Sequence, residues 1–61
     1  MTEIKIHDFV VTKRVIDFGV QDYVKEGEMG VVIDVTFPNY CLVNFMNKQI
    51  EWIDAKYLKK V

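Results

Sequence analysis

Val24-Lys25-Glu26-Gly27-Glu28-Met29-Gly30-Val31-Val32-Ile33-Asp34-Val35 is the stretch from which the fold can be read. Two glycines three apart close a polar loop, and a run of β-branched residues opens directly behind them. Glycine reaches backbone angles that other residues adopt only at a cost, so Gly27 and Gly30 mark a tight turn or a bulge. Val31, Val32, Ile33 and Val35 are stiff at χ1 and favour a strand. Turn followed by strand is the strongest local signal in the chain, and it predicts a strand over 29–36.

Downstream, Phe37-Pro38-Asn39 reads as a turn, with proline setting φ and asparagine tolerating left-handed geometry. Tyr40 to Met46 is the next strand, and Asn47-Lys48 is a two-residue hairpin candidate, although Lys suits its second position less well than Gly. Gln49 to Ile53 alternates as a further strand with Ile50 and Trp52 on one face. Asp54 caps a single helical turn over 54–57, and Leu58 to Val61 returns as a last short strand. Upstream, Asp8 to Val15 is a strand rich in β formers. Residues 16–28 then break into a long loop, of the kind that is usually functional or packed by its own side chains. Residues 1–7, with Ile4 and Ile6 on one side, are expected to form an N-terminal arm or extra strand. No segment sustains a helical period. Short strands and short turns predict an all-β domain over 8–61: a curled barrel of about five antiparallel strands.

The chain has 61 residues, near the lower limit of independent folding. Eight aromatics are enough to fill one small core without a disulfide or a metal. A net charge of −1 lacks the positive excess typical of nucleic-acid binders, so only a local patch could serve that purpose. Cys41 is the sole cysteine and lies in an apolar strand pattern, where a buried structural thiol is the plain expectation. The opening residues hold no signal-peptide core, and no apolar run approaches membrane-spanning length. The expectation is a soluble, cytoplasmic protein that does not engage membranes.

Asp8-Phe9-Val10-Val11, Gly27-Glu28-Met29-Gly30-Val31-Val32 and Tyr40-Cys41-Leu42-Val43-Asn44-Phe45 together resemble the GD-x-V, G-x-x-G-x-V and V-x-F pattern of prokaryotic and KOW-type SH3-like barrels. Asp54-Ala55-Lys56-Tyr57-Leu58 is similar to the helical turn and closing strand of signalling SH3 domains. The likeness covers residues 8–61 and implies an SH3-like barrel with one short helical turn before its last strand. Signalling SH3 domains carry an Ala-Leu-Tyr-Asp-Tyr-like run of which only Asp22-Tyr23 is an echo here. KOW-type barrels set Lys and Arg around the glycine loop, where this chain has Lys25-Glu26-Gly27-Glu28.

Function is read from side-chain clusters. The long loop carries Asp17, Asp22, Glu26 and Glu28 against Lys25, a negative surface that would steer a basic protein partner. Tyr23, Phe37, Tyr40, Trp52 and Tyr57 are the aromatics expected near a shallow groove, with Tyr23, Trp52 and Tyr57 as anchors. The plainer roles are a solvated loop and, for Trp52, a place in the core. The leading expectation is a small non-enzymatic module that binds a protein partner. The alternative is a KOW-like nucleic-acid binder using a face of Lys13, Arg14, Lys48, Lys56, Lys59 and Lys60. Those lysines could equally do no more than blunt edge strands against aggregation. A third possibility is a homo-oligomer that works through a shared interface.

With one histidine, His7, and one cysteine, neither a metal site, a cofactor nor a catalytic set is expected. A remote enzymatic possibility rests on Lys48-Gln49-Ile50-Glu51. That run is similar at two positions to the fourth strand of the plasmid-borne type of dihydrofolate reductase, which is an oligomeric barrel.

Overall fold

The computed structural model describes residues 3–61. Its elements are β1 (Phe9–Thr12), β2 (Ile16–Gly19), β3 (Asp22–Val24), β4 (Met29–Thr36), β5 (Tyr40–Phe45), β6 (Ile50–Asp54), a 3-10 turn over Ala55–Tyr57, and β7 (Leu58–Lys60). The fold is all-β. Five strands form one antiparallel sheet in the order β6-β5-β4-β1-β7, and β2 and β3 pair as a separate hairpin. The sheet is curled but not closed, with β6 and β7 as its two free edges.

The predicted strand over 29–36 is β4, and its glycines act in two different ways. Gly27 stands at φ +80 in the turn ahead of it, where no side chain would meet another atom. Gly30 has no such φ and lies opposite both Val10 and Phe45 in register. A Cβ there would approach Val43 Cγ1 to 2.6 Å and the Asn44 carbonyl oxygen to 2.8 Å, so β5 crosses where only a hydrogen fits. Further along β4 the register with β5 slips between Val32 and Asp34, leaving Ile33 as a bulge.

Alternation along the strands buries one face of the sheet. Val10, Val32, Cys41, Val43, Phe45, Ile53 and Leu58 point inward, and Val24 of the β2–β3 hairpin joins them. Thr12 is the one buried polar side chain among the described residues. Its hydroxyl donates to the Lys25 carbonyl (2.7 Å) and accepts from the Glu28 amide (3.0 Å), which ties β1 to the turn ahead of β4.

Two expectations are changed by the structure and a third is narrowed. The long loop 16–28 contains the β2–β3 hairpin, whose turn uses Gly19 at φ +134 and Gln21 at φ +59. Trp52 is not in the core: it lies on the outer face of β6 opposite Leu42 and is 43% exposed. Of the expected N-terminal arm, residues 1 and 2 fall outside the described residues. Residues 3–7 form no strand but a turn, in which the His7 amide donates to the Val32 carbonyl and Ile4 packs on the core. Asp54 caps as expected, its carboxylate accepting from the Lys56 amide (3.0 Å).

Candidate functional site

The 3-10 turn over 55–57 divides two surface depressions. On one side lies a broad open groove of about 1150 Å3, between the β4–β5 turn and the β7 strand. The Ala55 amide donates to the Asn39 carbonyl (2.8 Å) and so fixes the 3-10 turn against the β4–β5 turn. Val35, Cys41 and Leu58 line the groove from the apolar side, and Ile4 joins them from the N-terminal segment. Lys13, Lys56, Lys59 and Lys60 also line it, along with the exposed aromatics Phe37 and Tyr40. Glu3 is the only acid among the lining residues.

Four of the six residues expected on a nucleic-acid face therefore meet at one groove, although they are scattered along the chain. Lys13 follows β1 and reaches the groove because its amide donates to the Tyr57 carbonyl (2.8 Å). Lys60 is partly committed, with its ammonium 3.4 Å from the Asp8 carboxylate. That carboxylate also accepts from the Lys5 amide (2.8 Å). The Lys5 hydrogen bond, and after it the Lys60 charge, outweigh partial desolvation and hold Asp8 below the ordinary aspartate range. Lys48 stands apart at the β5–β6 turn, at φ +78, past the end of β5 remote from the groove.

On the other side of the 3-10 turn is a smaller cleft of about 240 Å3, lined by Arg14, Val15, Ile16, Asp17 and Tyr57. Arg14 lies 5.6 Å from the Tyr57 ring centroid and Lys56 lies 5.1 Å from it. At these distances the ring attracts cations, so its face already carries positive charge.

The acidic residues do not gather around this cleft. Asp17 lines it, and its side chain accepts from the Gly19 amide (2.9 Å). Asp22 instead faces Glu51 of β6. Desolvation first, and then the Asp22 charge and hydrogen bond, push the Glu51 carboxyl up. Tyr23 is half exposed opposite Asp17, and its carbonyl accepts from the Gln49 side chain (3.1 Å). Glu26 and Glu28 belong to the turn before β4, where the Glu28 amide serves Thr12. Trp52 is on the outer sheet face. The Glu51–Asp22 contact was hidden in the sequence, because no local spacing brings β3 against β6.

Cys41 is buried, and burial followed by the nearby Asp54 charge raises its thiol pKa, which favours an inert structural role. Among the described residues, no group of three or more His, Cys, Asp or Glu side chains could hold a metal ion. No helix among them is long and apolar enough to cross a membrane. No protein-family model, curated protein or solved structure matches the chain.

Proposed function

We propose that this protein is a small non-enzymatic binding module that takes a single-stranded nucleic acid along the lysine-lined groove. The supporting observation is that Lys13, Lys56 and Lys60 line one open groove with exposed Phe37 and Tyr40, with Lys59 of β7 at its rim. Cations that track phosphates and aromatic rings that stack bases are the two parts of sequence-tolerant single-strand binding. The groove is larger and more open than the roughly 300–1,000 Å3 cavities that enclose small molecules, which favours a chain-like ligand.

The test is fluorescence anisotropy with labelled oligo-dT and oligo-U across salt. Single-strand binding loses about 0.7 log units of affinity per log unit of salt for each phosphate contacted. Three to four lysine contacts then predict a loss of roughly 20- to 50-fold between about 50 and 200 mM salt. K13E/K56E should abolish binding. F37A should weaken it by at least about 5-fold, through loss of one stacked base. Binding that is flat with salt, or unchanged in K13E/K56E, would overturn the proposal.

A further inference from the structure

Antiparallel sheets that stand alone normally turn a polar face to water. The outer face of this five-stranded sheet does not. Register places Phe9, Val31, Asn44 and Ile50 in one row across β1, β4, β5 and β6. Val11 pairs with Met29 in the row on one side, and Leu42 with Trp52 in the row on the other. Asn44 is the only polar residue in the middle of the face. Asp34, beside Leu42, and Lys59, beside Val11, stand at its border.

Phe9 (52%), Met29 (40%), Ile50 (54%) and Trp52 (43%) are each substantially exposed, and Val11, Val31 and Leu42 between them are half-buried. Large side chains offer on the order of 150–250 Å2 each, so the exposed apolar patch is roughly 400–500 Å2. A patch of that size lies within the roughly 300–600 Å2 of a monomer's largest apolar patch, which is often functional, and two such patches laid together reach the roughly 1,000 Å2 of a specific interface.

We propose that two copies of this chain associate through the outer faces of their sheets, burying Phe9, Met29, Val31, Leu42, Ile50 and Trp52. A second copy fits because the face has little charge with which to select a different partner, and an uncharged apolar surface is complementary to itself.

Sedimentation velocity should show the weight-average mass rising from 7.2 kDa toward twice that value between about 1 µM and 1 mM, the range suited to an interface at the small end. Trp52 is the only tryptophan, so its emission should shift to the blue over the same concentrations as the face becomes covered. I50E and W52E should remain at 7.2 kDa with a wild-type circular dichroism spectrum, while F37E, in the groove, should associate normally. A wild-type mass of 7.2 kDa throughout would overturn the proposal, as would dimers of folded I50E and W52E. If both variants unfold, the wild-type emission decides: a mass that doubles without moving the Trp52 spectrum places the contact elsewhere.

Discussion

Replacing Gly30 with alanine tests the close crossing of β4 and β5. The added Cβ would stand 2.6 Å from Val43 Cγ1, 2.8 Å from the Asn44 oxygen and 3.0 Å from the Phe45 Cα. Two of those three atoms are backbone, held by the β4–β5 ladder, so a rotamer change cannot make room. Overpacking of this kind costs about 1–3 kcal/mol, and the upper half of that range applies where strands must separate. A 61-residue domain has a total stability of only about 3–9 kcal/mol. At about 4–8 °C per kcal/mol for a chain of this size, G30A should lower Tm by about 8–24 °C. Urea unfolding followed by circular dichroism would measure the loss, with an unchanged m-value showing that the native state is otherwise intact. Gly27 is the control. Its neighbourhood is empty, so G27A should lose only the roughly 1–2 kcal/mol of a left-handed alanine, and G27N less than that. V43A in the G30A background should recover little of the loss, because the two backbone contacts persist and the buried Val43 methyls are lost from the core. A G30A protein within about 0.5 kcal/mol of wild type, the range of neutral surface changes, would refute the crossing as described.

Two other predictions concern polar groups. T12V keeps the shape of the side chain but leaves the Lys25 carbonyl and the Glu28 amide without their partner, so urea unfolding should show a loss of about 1–3 kcal/mol. Acid titration should reveal two opposed carboxyls. Glu51 has its folded pKa raised, so its protonation adds stability as pH falls through that value toward the ordinary glutamate range, and E51Q should remove this gain. Asp8 has its folded pKa lowered, so its contribution is complete above the ordinary aspartate value and is lost as pH falls through the depressed one. D8N should flatten that lower limb, and a limb unchanged in D8N would show that the Lys5 and Lys60 contacts do not hold the charge.

The candidate site was only partly legible before the structure. The lysines of the groove come from the end of β1, the 3-10 turn and β7, and their meeting depends on β7 returning to pair with β1. The acids of the long loop are close in sequence yet diverge, because the β2–β3 hairpin alternates. Asp22 turns with buried Val24 toward Glu51, while Asp17 faces the cleft with Tyr57. Proximity along the chain was a poor guide to proximity in space.

Local chemistry alone determined the strand over 29–36, the strand from Tyr40 (expected to Met46, ending at Phe45) and the capped turn at Asp54, because β-branched runs, turn residues and a capping carboxylate act over a few residues. It also determined that Ile50 and Trp52 share a face, since strand side chains alternate with a period of two. Which face is inside could not be read locally. β5 and β6 carry apolar residues on both sides, with Cys41, Val43 and Ile53 on one and Leu42, Ile50 and Trp52 on the other. Tertiary structure decided it: the β2–β3 hairpin brings Val24 over one side only, so that side becomes the core and leaves Trp52 facing outward.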